Sequence, residues 1–384
     1  MLAEFLATKP LYYKEIDYTR MPRAWESVKE HFSLPTIIHV IGTNGKGSTG
    51  RFLAHYLLKC DLKIGHYTSP HVLRFNERIW LNGFDVEDKM LEQNHQKLLS
   101  LLSSEFQESL SYFEYTTLLA MLCFEGSDYI VLEAGLGGEY DATSVFGSDL
   151  TLVTPISIDH EAFLGDTIEK IAKTKLNAVR KFAILGKQEY KEVYKVSKVL
   201  SRKKGVEIFR YDYFFSYDEI AESKETIRSL FMADFFAENL LLAMAGAKFF
   251  GFEIDFNKFD NFKLFGRCQK ISDNVTIDVG HNIAAAKALM SHFKNSKIVL
   301  VYNSYSDKDY EEILKILKPV IKRVEILPIL NERVEQKEIL ERTLETLKIE
   351  FDNFHKINQN EQYLIFGSFS VVEEFLNHHG DKTR

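Results

Sequence analysis

TIIHVIGTNGKGST, running from Thr36 to Thr49, is the stretch from which the rest of the chain can be read. Thr36–Ile41 is a short, β-branched apolar run of the kind that forms a buried strand. A glycine-rich turn follows, Gly42-Thr43-Asn44-Gly45-Lys46-Gly47-Ser48, and then a helical pattern from about Ser48 to Lys59. Glycines in such a turn let backbone N–H groups face a phosphate, and the helix N-terminus adds a partial positive charge. Thr43, Asn44, Gly45, Gly47 and Thr49 are therefore candidates for cradling phosphates. Lys46 supplies a cation for the β- and γ-phosphates, and the Ser48 or Thr49 hydroxyl is in reach of Mg²⁺. The strict Walker pattern is not met: Val40 stands where its first glycine belongs, and Gly47 separates Lys46 from Ser48. At this point a plain glycine turn stays open as the alternative.

Outward from this turn, short β-branched runs alternate with longer helical patterns, which predicts an α/β fold with parallel sheets covered by helices. Tyr129–Glu133 and Leu150–Pro155 read as strands ending in polar loops. Ligands of open α/β sheets gather at the carboxyl ends of strands, so these loops can meet in one crevice. A second series begins near Val275, with VTIDVG, KIVLVYN, RVEILPI and YLIFGS as strands. Helical patterns lie between and after them, at about Ile283–Phe293, Asp309–Leu317, Val334–Leu347 and Val371–Leu376. This series predicts a smaller Rossmann-like C-terminal domain. The break falls in Gly266–Asp273, giving expected domains of 1–268 and 269–384.

Bulk properties exclude several classes. A chain of 384 residues exceeds one ordinary core. The 48 basic and 55 acidic residues give a net charge of −7, which offers no global attraction to nucleic acid or anionic lipid. The basic stretch Lys195–Lys204 reads as a solvated helix face. Cys60, Cys123 and Cys268 are scattered, with no disulfide or zinc spacing, and suit a reducing cytosol. Leu230–Phe256, the most apolar long stretch, is interrupted by Asp234, Glu238, Asn239 and Lys248, so no membrane span is expected and the chain is placed in the cytoplasm.

Four strings decide between the readings of the turn: GTNGKGS (Gly42–Ser48), YTSPHVLRFNERI (Tyr67–Ile79), LEAGLGGEYDAT (Leu132–Thr143) and SIDHEAFLG (Ser157–Gly165). In this order and spacing they resemble the signatures of the folylpolyglutamate synthase/dihydrofolate synthase family of the Mur ligase superfamily. LFGR (Leu264–Arg267), DVGHN (Asp278–Asn282), SDKD (Ser306–Asp309) and GSFS (Gly367–Ser370) extend the resemblance over nearly the whole chain. The resemblance implies a P-loop-containing, Mur-ligase-like ATP-binding domain that also binds folate, followed by a domain that helps hold glutamate. It implies ligation of L-glutamate to dihydropteroate, and to folates already carrying glutamate, by a monomeric enzyme using ATP and two Mg²⁺ ions. The alternatives are lengthening of the folate tail alone or a cell-wall Mur ligase, which usually reads GKTT or GKSS at the loop. From another class stands a P-loop kinase or NTPase.

Beside the Ser48 hydroxyl already read from the turn, the resemblance assigns metal binding to Ser69, Glu133 and His160, and to Lys175 as a carbamate. Leu176-Asn177 stands where the family usually has Ala-Gly. Phe113, Glu114, Tyr115, Thr116 and Asp141 match segments that contact the pteroate; aromatic faces stack on a flat ring and carboxylates accept its N–H donors. Ile16-Asp17 resembles the dihydropteroate loop of bifunctional members. Asn239, Arg267 and Asp278 match positions for ATP, and His281 and Ser368 are candidates for orienting glutamate. Ile283 replaces the proline that usually follows DVGHN, which alters the turn that aims His281.

Overall fold

The computed structural model describes residues 1–10, 17–159 and 161–379. They form two compact units, Met1–Thr226 with Ala237–Asp260, and Ile227–Phe236 with Asn261–Arg384. The second series of strands reads from near Val275, and the second unit takes in Asn261 onward together with Ile227–Phe236.

Eight strands build the first sheet: β1 Thr36–Ile41, β2 Ile64–Tyr67, β3 Ile79–Leu81, β4 Phe84–Asp85, β5 Tyr129–Glu133, β6 Leu150–Val153, β7 Phe182–Leu185 and β8 Glu207–Arg210. Their order is β4-β3-β2-β5-β1-β6-β7-β8. From β2 to β8 every pairing is parallel, while β3 and β4 add an antiparallel edge. β1 is central and covered on both faces, which is why its sequence is aliphatic in succession rather than alternating. The helix Lys46–Leu58 packs over β1, β2 and β5, burying Phe52, Leu53, Tyr56 and Leu57. Full burial of each such side chain contributes roughly 1.5–3 kcal/mol. On the other side a core forms around the helix Tyr112–Cys123 with Trp25, Leu98 and Phe124.

The chain leaves β5 and enters β6 on the far side of β1, so the order of strands switches there. Val40 pairs with Glu133 on one side and with Leu152 on the other. The loops after β1, β5 and β6, with that after β2, consequently emerge at one edge of the sheet.

The second unit has β9 Gln269–Ser272, β10 Val275–Asp278, β11 Ile298–Tyr302, β12 Ile321–Ile326, β13 Phe351–Asn353 and β14 Tyr363–Phe366. The order is β13-β12-β11-β14-β10-β9, parallel except for β9. The four expected helices are present at Ile283–His292, Tyr310–Leu317, Lys337–Thr346 and Phe369–His378. In the helix Lys191–Lys204, Val193, Ser197 and Leu200 face inward, leaving the lysines on the solvent side. No described helix is long and apolar enough to cross a membrane.

Candidate active site

The turn after β1 is held against the end of β6. Gly42 has φ +137°, and a Cβ there would lie 2.0 Å from Thr154 Oγ1, so only glycine fits. Thr43 and Asn44 donate their N–H groups to the Pro155 carbonyl, at 2.9 and 3.3 Å. The Thr43 hydroxyl donates to the Ser157 carbonyl (3.2 Å) and accepts from its N–H (3.1 Å). Gly45, at φ +83°, starts the helix at Lys46. Asn239, on the helix Phe236–Phe249, closes over this start, donating to the Gly45 carbonyl at 3.4 Å and to Thr49 Oγ1 at 3.1 Å. Asn239 is thus brought onto Gly45 and Thr49, at a helix start whose first N–H groups lack intrahelical acceptors.

Two amines converge on one carbonyl in this turn. Lys46 Nζ donates to the Gly42 and Thr43 carbonyls, both at 3.3 Å. Lys175, from the helix Ile168–Leu176, donates to the same Gly42 carbonyl at 2.8 Å. Lys175 is only 4% exposed. Burial, assisted by the positive charge of Lys46 and opposed by Asp159 and Asp141, lowers its amine to about 7. Of the basic residues along its helix, Lys173 is exposed and Lys175 turns inward, a distinction composition does not reveal.

At the neighbouring strand end, Glu133 is 3% exposed. It accepts hydrogen bonds from the Thr68 hydroxyl and, at 3.3 Å, from the Ser69 N–H. Arg51, whose guanidinium lies 4.7 Å from the Trp80 ring centroid, is lowered by burial to about 10, with Asp85, Glu77 and Glu133 acting against that shift. These contacts offset what an unpaired buried carboxylate would cost. Carboxylate and hydroxyl oxygens are the hard donors that Mg²⁺ takes, so Glu133, Ser69 and Ser48 fit that ion chemically. Among the described residues no group of three or more His, Cys, Asp or Glu side chains is set to hold a metal. His160 lies outside the described residues, as does Ile16.

The residues expected at the pteroate divide. Asp141 follows β5 and is buried; Leu136 N–H donates to its Oδ2 at 2.8 Å. Burial raises its pKa, opposed by hydrogen bonds from Thr143 and Leu136 and by Lys46. Phe113 is half-buried and lies against the loop after β5, where a Cβ on Gly135 would meet its Cζ at 2.6 Å. Thr116 is buried, with its hydroxyl 3.0 Å from that of Tyr67. Glu114 closes a capping box with Ser111 and pairs with Arg20 at 2.8 Å. Tyr115 is fully buried in the core, its hydroxyl 2.7 Å from His95 Nδ1. These contacts give Glu114 and Tyr115 packing and capping roles. Asp17 is exposed and accepts from the Thr19 N–H and hydroxyl, at 2.8 and 2.7 Å.

In the second unit, the ends of β10 and β14 carry the remaining candidates. Asp278 accepts from the Cys268 and Gly280 N–H groups at 2.8 and 2.7 Å; burial raises its pKa, and Arg267 acts against this. The Arg267 guanidinium lies 5.3 Å from the Phe369 ring centroid. Ser368 caps the helix Phe369–His378 by accepting from Val371 N–H at 3.2 Å. His281 Nδ1 lies 3.2 Å from the Val279 carbonyl, and Asn282 rather than Asp278 caps the helix that follows.

This arrangement has close counterparts. The crystal structure of Helicobacter pylori folylpolyglutamate synthetase shares 40% sequence identity, covers 98% of this chain and 97% of its own, and superposes with a TM-score of 0.79. The dihydrofolate synthase/folylpolyglutamate synthase of Escherichia coli K12 is 32% identical over 309 residues, 75% of this chain and 71% of that protein. The chain belongs to the folylpolyglutamate synthase/dihydrofolate synthase family. A structure of the E. coli FolC protein in complex with DHPP and ADP covers 98% of this chain and 97% of its own, at 25% identity and a TM-score of 0.81. No protein-family model matches the chain. In this family member, sequence reasoning missed Thr68 and Arg51 beside Glu133, and the contact of His39 with Thr143. For His39 a signal existed: an imidazole inside an aliphatic central strand must find a partner.

Proposed function

We propose that this family member ligates L-glutamate to dihydropteroate, forming dihydrofolate, and then lengthens the glutamate tail of folates, with ATP as the energy source. A carboxylate resists attack by an amine because it is a poor electrophile without a leaving group. Transfer of the ATP γ-phosphoryl to the carboxylate oxygen releases ADP and forms an acyl phosphate. The glutamate amine then attacks the acyl carbon, phosphate leaves and the amide remains. Such chemistry depends on charge neutralisation and in-line positioning more than on protein nucleophiles.

In this reading Lys46 and the turn Thr43–Thr49 hold the phosphates and Asn239 braces the turn, while Arg267 and Asp278 are the ATP-binding candidates of the second unit. Phe113 and Asp141 hold the pteroate, and His281 and Ser368 orient glutamate. Ser48, Ser69, Glu133, His160 and Lys175 would hold two Mg²⁺ ions, which supply further neutralisation of the phosphates. Lys175, lowered to about 7, has the free amine needed to add CO₂. A C–N bond forms, a proton leaves, and the resulting carbamate is an anionic oxygen donor. The chain is expected to act as a cytoplasmic monomer on these small molecules, without nucleic acid or membrane.

The observation that carries the proposal is the meeting of Lys46 and Lys175 at the Gly42 carbonyl, on the sheet edge where Val40 pairs with Glu133. The test is ADP release with dihydropteroate or tetrahydrofolate as acceptor, each with and without glutamate. Glutamate-dependent release with both acceptors is expected. Turnover with tetrahydrofolate alone would reduce the activity to tail lengthening. Release that ignores glutamate would overturn ligation.

A further inference from the structure

β1 contains one imidazole among aliphatic neighbours, His39, which is 2% exposed. Its Nε2 lies 2.8 Å from Thr143 Oγ1, and that oxygen lies 2.6 Å from Asp141 Oδ1. The hydrogens of this chain can be assigned from its chemistry. Burial raises the Asp141 pKa, but Thr143 N–H donates to Oδ1 at 3.0 Å and Leu136 N–H to Oδ2 at 2.8 Å, so with the hydroxyl three donors meet the group and act for the carboxylate, as does Lys46. A carboxylate only accepts, so the Thr143 hydroxyl gives its single hydrogen to Oδ1. Thr143 Oγ1 must then accept from His39, which places the imidazole hydrogen on Nε2. Burial and the nearby Arg180 keep His39 neutral near pH 7.

A carboxylate offers about four acceptor sites, two on each oxygen. Described residues of the fold take both sites on Oδ1 and one on Oδ2, which leaves a site on Oδ2. We propose that His39 and Thr143 are positioning residues that lock the Asp141 carboxylate so that this Oδ2 site meets an N–H donor of the flat pteroate head group. The proposal rests on the ligase reading, in which Asp141 contacts the pteroate. Without the Thr143 hydroxyl, Oδ1 regains a site and the carboxylate can turn. Without His39 Nε2–H, the hydroxyl can turn towards other acceptors and no longer holds Oδ1.

The test compares the purified full chain with Thr143→Val, Thr143→Ser, His39→Leu and His39→Gln, measuring KM for dihydropteroate, KM for ATP, and kcat. Removing a hydrogen bond to a charged group predicts a rise of about tenfold in KM for dihydropteroate in Thr143→Val, and losing the neutral bond that aims this hydroxyl predicts about fivefold in His39→Leu. KM for ATP is expected to stay within about twofold, because no phosphate contact changes. Thr143→Ser, which keeps the hydroxyl, and His39→Gln, which keeps an N–H donor, are expected to recover most of the loss. An unchanged KM for dihydropteroate in Thr143→Val overturns the proposal, and so does an equal rise in both KM values. If His39→Leu does not fold, Thr143→Val against Thr143→Ser decides alone. A parent chain without glutamate-dependent turnover would overturn the ligase reading and the positioning role together, whereas an active parent with an indifferent Thr143→Val overturns the positioning role only.

Discussion

At Gly42, one carbonyl oxygen accepts from the amines of both Lys46 and Lys175. Lys46 lies at the helix start that the proposed function sets against the phosphates, so Lys46→Ala should lower kcat by about a hundredfold or more in an ADP-release assay, the scale of losing one preorganised charge contact. Lys175 makes a different prediction. Its folded-state pKa, about 7, is below the ordinary lysine value of 10.5, so between those values the unfolded chain binds more protons. Stability from this group therefore rises with pH across that window, and below it the full cost of a buried ammonium is felt. In urea unfolding, the parent chain should gain on Lys175→Met as pH is raised from about 7 to about 9. A gap that does not change with pH would contradict the burial argument. Lys46 and Glu133 were legible in the sequence because strand ends announce themselves through a glycine turn or a charge after an aliphatic run. The inward turn of Lys175 was not, since helical position alone does not say which lysine faces the core. Glu114 and Tyr115 match family segments that contact the pteroate, and a helix start also needs a cap and a core anchor, which these two side chains supply here.

The elements that hold the site show where local sequence suffices. β1 and β5 occupy the ranges their aliphatic runs predicted, Thr36–Ile41 and Tyr129–Glu133, because a strand covered on both faces is apolar at nearly every position along its length. The antiparallel strands β3, β4 and β9 have only two to four residues, and so carry no periodic signal. The helix Phe369–His378 begins two residues before the expected Val371, since Ser368 caps it. Two substitutions test the packing of elements. Gly42→Ala would force Cβ into Thr154 at a positive φ, and should destabilise the first unit by about 1–3 kcal/mol or more in denaturant unfolding, with loss of nucleotide binding. Arg20 and Glu114 pair at 2.8 Å with side chains 10% and 12% exposed. Arg20→Ala should cost about 3 kcal/mol by leaving Glu114 nearly buried and without its cation. A loss below about 0.5 kcal/mol would return Glu114 to the candidates for substrate contact.

Over the whole molecule, each unit inserts a strand between two that precede or follow it in the chain, β1 between β5 and β6 and β14 between β11 and β10. Lys46 and Glu133 in the first unit and Asp278 and Ser368 in the second sit beside those switch points, where α/β sheets bind ligands. The two βα series were legible from alternating patterns. The membership of Ile227–Phe236 in the second unit was not, because a short segment joins a distant core through packing rather than through its own periodicity. The central claim is that the acceptor carboxylate is activated by phosphoryl transfer. Dihydropteroate carrying heavy oxygen in its carboxylate tests this most directly, with ATP, glutamate and purified protein. For every amide formed, one labelled oxygen should appear in the released phosphate. Dihydrofolate formed alongside unlabelled phosphate would contradict the account.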